Sequence, residues 1–341
     1  MSLILNKKLA VVLKADKDIG TGHLMRVKSL LRHIDGVDFY LFTDSLSTEL
    51  EAFATEYKSI IRGKVCELVS AIKTLSPDLI LIDHYFLDYD FEKELFKDFK
   101  IAVIDDLERR HLCHVLFDQG RDKTELNYKG LVPENTLLCV GYHYNFIKPE
   151  FAKIKTTPSQ SGKLRVLVNF GGSDPAHACL YTVESILKAQ LYKEYEITVY
   201  SGISNPDHDK ITELLKDIRE IKHFRHCNDI LKEFEKTDIA VGACGGMFVE
   251  RILARLPAIN VEIADNQKGC GNFVKNFNLG VVMSVDELKD EQILSKSLEN
   301  VNRNRSIYAH NCANVYDSCG LLNVAEVLKK FLDTKGSDSI F

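Results

Sequence analysis

The stretch Lys14-Ala15-Asp16-Lys17-Asp18-Ile19-Gly20-Thr21-Gly22-His23 sets an imidazole behind two glycines. It follows a short apolar run, 9–13, and leads into a helical pattern. Glycines at such a junction allow a tight turn and a close approach of ligand to backbone. An imidazole in the first turn of a helix meets the positive end of the helix dipole, which disfavours its charged form. A neutral ring can accept a proton from a reacting group, so His23 is a candidate general base. Asp16 or Asp18 could orient its other nitrogen, and spacing alone does not choose between them. Two other readings fit the same turn. One is a nicotinamide-binding loop, with Asp44 where a ribose-binding acid would stand. Gly20-x-Gly22-x-x-Met25 lacks that motif's third glycine. The other is a histidine that only caps the helix.

A second turn, Gly242-Ala243-Cys244-Gly245-Gly246, also lies between a strand pattern and a helical one. Glycines at a helix N-terminus expose backbone N–H groups where the dipole favours an anion. Pyrophosphate is the natural guest for Gly245 and Gly246. Glu250, within the first turns of that helix, could accept hydrogen bonds from ribose hydroxyls. Its plainer reading is an acid that complements the dipole. Gly171, Gly172 and Ser173, and separately Asp265, Asn266 and Gln267, follow two further strand patterns. The first group could line a nucleotide site, and the second suits sugar hydroxyls.

These turns need strands to present them. Nearly continuous apolar runs at 9–13, 39–42, 79–82, 101–104 and 115–117 alternate with helical patterns at 24–33, 65–75 and 91–99. A second series has strands at 164–170, 197–200, 239–242, 258–261 and 280–283. Its helices fall at 178–188, 211–218, 230–236 and 248–255, and a last helix at 321–332. Such alternation predicts parallel sheets covered on both faces. The expected organisation is a Rossmann-like domain over 1–146, a Pro- and Ser-bearing linker over 147–163, a second Rossmann-like domain over 164–320, and a helix and tail over 321–341. Two doubly wound halves facing a cleft would bind ligand beyond the carboxyl ends of their strands.

The bulk figures narrow the class. With 341 residues, 45% hydrophobic and 27% charged, the chain can fill two cores. A net charge of -5 lacks the basic footprint of a nucleic-acid binder or a polybasic membrane anchor. No apolar run reaches membrane-spanning length, and the opening MSLILNKKLAVVLKAD lacks a cleavage-site pattern. Nine cysteines without paired spacing suggest free thiols in a reducing, cytoplasmic setting. The His111-Leu112-Cys113-His114 and His223-Phe224-Arg225-His226-Cys227 stretches lack a second ligand pair, so no metal site and no cofactor is expected.

Taken together, these motifs resemble the PseG family, the UDP-2,4-diacetamido-2,4,6-trideoxy-β-L-altropyranose hydrolases of pseudaminic acid synthesis. The resemblance rests on Asp16-x₃-Gly20-Thr21-Gly22-His23-x₂-Arg26, Asp83-His84-Tyr85, Ile104-Asp105-Asp106-Leu107, Phe170-Gly171-Gly172-Ser173-Asp174-Pro175, Leu256-Pro257 and Ala264-Asp265-Asn266-Gln267. It implies a glycosyltransferase-B-like fold similar to the MurG transferase, with UDP held mainly by the C-terminal domain. It also implies His23 as the base, with Tyr85 and Asn266 at active-site positions. Asp16, Gly20, Thr21, Gly22 and Arg26 would contact substrate. So would Gly171, Gly172, Ser173, Gly245, Gly246, Glu250, Asp265 and Gln267. Three departures stand out. Cys244, Met247 and Phe248 alter the usual phosphate turn. Gly141-Tyr142-His143-Tyr144 stands where Gly-Pro-Arg-Tyr is common. His114 stands where an Asp is usual.

The implied reaction is metal-independent, inverting hydrolysis of a UDP-sugar at its anomeric carbon. UDP leaves readily, so the second carboxylic acid of an ordinary glycosidase is not required. The rivals are a glycosyltransferase of the same fold, a nicotinamide oxidoreductase, and a UDP-sugar-binding protein without turnover.

Overall fold

A computed structural model describes residues 7–16, 22–120, 123–264, 267, 269–315 and 319–334. The chain divides into two compact units: Met1–Lys148 with Cys319–Phe341, and Pro149–Ser318.

The first unit holds β1 (Lys7–Leu13), α1 (Gly22–Leu31), β2 (Val37–Thr43), α2 (Thr48–Glu51), β3 (Ser59–Arg62), α3 (Val65–Leu75), β4 (Leu79–Asp83), α4 (Tyr89–Phe96), β5 (Ile101–Ile104), β6 (Val115–Asp118) and β7 (Leu137–Val140). Its seven strands are all parallel, in the order β3-β2-β1-β4-β5-β6-β7. Every residue from Leu9 to Leu13 and from Leu79 to Asp83 is buried, as expected when helices cover both faces. Strand alternation divides β1 between two cores. Leu9, Val11 and Leu13 pack with Leu24, Val27 and Leu30 of α1. Ala10 and Val12 pack with Leu68 and Ile72 of α3 and Phe91 and Leu95 of α4. The winding reverses between β1 and β4, and Leu13 pairs with Asp83 there. Such a reversal, at the carboxyl ends of the strands, is where open α/β sheets bind ligands.

The second unit repeats the plan. It holds β8 (Arg165–Asn169), α5 (Ala178–Lys188), β9 (Glu196–Tyr200), α6 (His208–Leu215), β10 (Ile221–Phe224), α7 (Ile230–Glu235), β11 (Ile239–Ala243), α8 (Gly246–Leu253), β12 (Ala258–Val261), α9 (Cys270–Phe277), β13 (Gly280–Met283) and α10 (Glu291–Cys312). Six parallel strands run in the order β10-β9-β8-β11-β12-β13, reversing between β8 and β11. Residues Pro149–Lys153 form a single 3₁₀ turn whose Phe151 meets Phe234 of α7 at 5.6 Å. The last helix, α11 (Gly320–Asp333), returns to the first unit. There it buries Leu321, Val324, Leu328 and Phe331 beside α1. Lys100 donates to the carbonyls of Phe331 and Thr334, both at 2.5 Å, neutralising the negative end of α11.

Two parallel-sheet α/β units are what the apolar alternation predicts. Three strands escape that pattern: β3, β7 and β10. Each is the outermost strand at an edge and is mostly exposed or half-buried, with no buried residue in β3 and one each in β7 and β10. The helices α9 and α10 are also unanticipated. In α10 only Leu294, Leu298, Val301, Tyr308 and Cys312 are buried along 22 residues, so a thin apolar stripe lies within a polar sequence. Among the described residues, no helix is long and apolar enough to cross a membrane.

Candidate active site

His23 is the second residue of α1 and is 4% exposed. Its Nδ1 lies 2.5 Å from Oδ1 of Asp83, the fully buried last residue of β4. A carboxylate this close to a lone pair would be repelled, so Nδ1 carries the proton and donates it to Asp83. The ring's Nε2 makes no hydrogen bond among the described residues. The carboxylate that orients His23 therefore comes from β4, not from Asp16 in the turn. Asp16 pairs instead with Lys14 at 3.5 Å. Asp18, Gly20 and Thr21 lie outside the described residues.

Arg26, one turn along α1, completes the arrangement. Its Nε donates to Asp83 Oδ2 at 2.7 Å, and its Nη2 donates to Oδ1. Burial opposes ionisation of Asp83, but the charge and hydrogen bonds of Arg26 and the bond from His23 hold its carboxyl down at about 2. Burial likewise works against the guanidinium, and Asp83 and Asp106 more than offset it. Arg26, expected to contact substrate, is thus engaged with two acids of its own unit.

Tyr85 follows β4 by two residues. Its ring meets that of His23 edge-on, with centroids 4.5 Å apart, and its hydroxyl donates to Asp106 Oδ2 at 3.1 Å. Burial and the nearby Asp106 push the phenol up to about 12, so it remains a donor at neutral pH. Asp106 Oδ1 is buried and has no hydrogen-bond partner among the described residues. The neighbouring His84 is fixed differently. Its Nδ1 accepts the N–H groups of Phe86 and Leu87, both at 3.1 Å, so Nε2 carries the proton and donates to Asp44 at 3.1 Å. Asp44, weighed as a ribose-binding acid, is taken up by that bond.

In the second unit the glycine turns converge at the carboxyl ends of β8, β9, β11 and β12. Gly171 has φ +94, and its N–H donates to Asn169 Oδ1 at 2.8 Å. A Cβ on Gly202 would stand 2.4 Å from the carbonyl of Gly171, and one on Gly242 2.4 Å from that of Asn169. Only glycine lets these turns approach so closely. Gly245 caps α8, with Gly246 exposed behind it. A Cβ on Gly245 would lie 3.4 Å from Gln267 Nε2, so this turn and Gln267 are neighbours. Gln267 Oε1 accepts the Ile263 N–H at 3.1 Å. Ser173 is exposed, while Glu250 is half-buried on α8. Asp265 and Asn266 lie outside the described residues.

Sequence reasoning passes over Arg251 of α8. It is 3% exposed and donates to the carbonyl of Ala243 at 2.8 Å and to Asn260 Oδ1 at 3.0 Å. No carboxylate among the described residues lies within ion-pair distance, and burial lowers its pKa. It places a buried cation beneath the glycine turn. Cys244 is 6% exposed, and its hydrogen bond with the Cys270 thiol, together with burial, pushes its pKa far up, so it is an inert packing residue.

The histidines of the first metal-like stretch, His111 and His114, are each engaged by neighbours of the first unit. His111 pairs with Glu92 at 2.6 Å and Asp105 at 3.5 Å. Burial lowers its pKa, but the two acids raise it further, to about 9. His114 stacks on Phe96 at 4.4 Å and accepts the Ile101 N–H at 3.1 Å. It precedes β6, at the end of the sheet opposite His23. Among the described residues, no cluster of three or more His, Cys, Asp or Glu is arranged to hold a metal ion.

Comparison with known proteins extends the motif reading. The UDP-2,4-diacetamido-2,4,6-trideoxy-β-L-altropyranose hydrolase of Campylobacter jejuni is 25% identical over 253 residues, covering 72% of this chain and 89% of that protein. The chain is similar to that hydrolase. No family model matches. MurG of Acinetobacter baumannii superposes with a TM-score of 0.64 at 12% identity, covering 95% of this chain and 99% of its own. UDP-GlcNAc 2-epimerase of Neisseria meningitidis, bound to UDP-GlcNAc, gives 0.61 at 12% identity, with the same coverage. These likenesses place the chain in the glycosyltransferase-B fold class.

Proposed function

We propose that this protein hydrolyses a UDP-linked diacetamido-trideoxy sugar at its anomeric carbon, releasing UDP and the free sugar. The observation that carries the reading is the His23–Asp83 pair. With Nδ1–H held by a buried carboxylate, the neutral imidazole presents its Nε2 lone pair, as a general base requires. Nε2 takes a proton from water. The water oxygen bonds to the anomeric carbon as its bond to the UDP oxygen breaks, with inversion. Asp83 stabilises the imidazolium that forms. Tyr85 and the spare Oδ1 of Asp106 orient sugar hydroxyls and water, with Asn266 assigned the same task. In the second unit, the amides at Gly245 and Gly246 hold the diphosphate. The buried charge of Arg251 stabilises the negative charge that builds there. Glu250 holds the ribose. The 25% identity to a hydrolase of this type supports the choice of sugar and the place in pseudaminic acid synthesis.

The test is incubation with UDP-diacetamido sugars, without added acceptor, followed by NMR for UDP, free sugar and the first anomer formed. Hydrolysis yields both products, with the anomer inverted. A glycosyltransferase leaves the UDP-sugar intact. His23→Phe should lose about 10²–10⁴-fold in kcat while UDP still binds. Undiminished turnover in that variant refutes the assignment of the base.

A further inference from the structure

Arg109 makes five hydrogen bonds, three of which converge on the segment carrying Tyr85. Its backbone N–H and its Nε donate to Asp105, at 3.0 and 2.9 Å. Its Nη1 donates to the carbonyls of Tyr85 and Leu87, both at 2.9 Å, and its Nη2 to the carbonyl of His84 at 3.2 Å. These carbonyls belong to the connection between β4 and α4. Turned inward without a donor, each would be costly to bury. Asp105 is itself held by the Tyr128 hydroxyl at 3.1 Å and by His111 at 3.5 Å. From the other side, His84 Nδ1 binds the N–H groups of Phe86 and Leu87. The backbone at 84–87 is therefore gripped through both its carbonyls and its amides.

We propose that Arg109 is a positioning residue. Its guanidinium, anchored on Asp105, fixes the 84–87 backbone so that Tyr85 keeps its ring against His23 and its hydroxyl on Asp106. The catalytic consequence rests on the hydrolase reading, whereas the placement of Tyr85 rests on geometry alone. A planar fork serves one carboxylate and three carbonyls together, which the single nitrogen of lysine does not.

Arg109→Lys in the full chain tests this in two ways. The first readout is ¹³Cζ-tyrosine NMR, with the Tyr85 line assigned by Tyr85→Phe. Tyr85 faces Asp106, Arg26, His23 and Asp83, and its phenol titrates near 12 in the native arrangement. In Arg109→Lys its titration should move towards the ordinary value of about 10. The second readout is turnover of the UDP-sugar. Loss of alignment should lower kcat by roughly 10- to 100-fold with UDP affinity unchanged. The double variant Arg109→Lys/Tyr85→Ala, which removes both ring and hydroxyl, should be no slower than Tyr85→Ala alone. An unmoved Tyr85 line, or additive losses, overturns the proposal. A moved line in a protein that hydrolyses no UDP-sugar leaves the positioning role intact and refutes the proposed function. If Arg109→Lys does not fold, Asp105→Asn loosens the same anchor and is read by the same two measurements.

Discussion

Asp83→Asn is the sharpest probe of the site. Two carboxylate oxygens receive three N–H groups: Oδ1 takes those of His23 and Arg26 Nη2, and Oδ2 takes that of Arg26 Nε. Asparagine offers only one oxygen. With that oxygen towards His23, its amide nitrogen faces Arg26 Nε, donor against donor at what was a 2.7 Å bond. In the flipped pose the amide nitrogen faces His23 and drives the ring proton to Nε2, removing the lone pair that takes the proton from water. Loss of the negative charge also leaves the imidazolium unsupported. Together these should lower kcat by about 10²–10⁴-fold. Arg26 keeps Asp106 at 3.4 Å, so the cost in stability should be only on the order of 1–3 kcal/mol. The assay is UDP release at saturating UDP-sugar, alongside UDP affinity by calorimetry and the urea midpoint. Because Asp83 acts through His23, Asp83→Asn/His23→Phe should be no slower than His23→Phe. A kcat within about threefold of wild type, or losses that multiply in the double variant, would show that Asp83 is not the orienting partner.

Gly242→Ala would place a methyl group 2.4 Å from the carbonyl of Asn169 and 2.8 Å from Arg251 Nη1. It should cost about 1–3 kcal/mol, read as a lower urea midpoint, and an unchanged midpoint would contradict the close packing of β8 and β11. His111 has its pKa raised to about 9, so its contribution is complete below about 6.5 and is lost as pH rises through about 9. Relative to His111→Gln, the wild type should therefore lose on the order of 2 kcal/mol between pH 6.5 and 9.5. Parallel pH profiles of the two urea midpoints would refute the buried His111–Glu92–Asp105 pairing.

Much of the fold is legible because central strands such as Leu79–Asp83 are buried on both faces and read as unbroken apolar runs. Edge strands are half-exposed, so Ser59–Arg62 and Ile221–Phe224 carry no comparable signal. In the candidate site, His23 and the glycine turns are legible because turn chemistry is local. The partner of His23 is not. Its carboxylate comes from 60 residues away, brought in by the parallel register of β1 and β4, while the eye falls on acids in the same turn. Arg109 is harder still, since it acts on backbone carbonyls, which leave no trace in residue identity. The departure at His114 proves remote, stacked on Phe96 at the far end of the sheet.

The return of α11 to the first unit sets an order of events for a chain made from its N-terminus. The part of α1 that α11 packs against stays open until Leu321, Val324 and Leu328 have been made, by which time all of Pro149–Ser318 has been made as well. The half that bears His23 begins first and matures last. A transcript cut short before position 319 would yield a finished second half tethered to an unsealed, aggregation-prone first one.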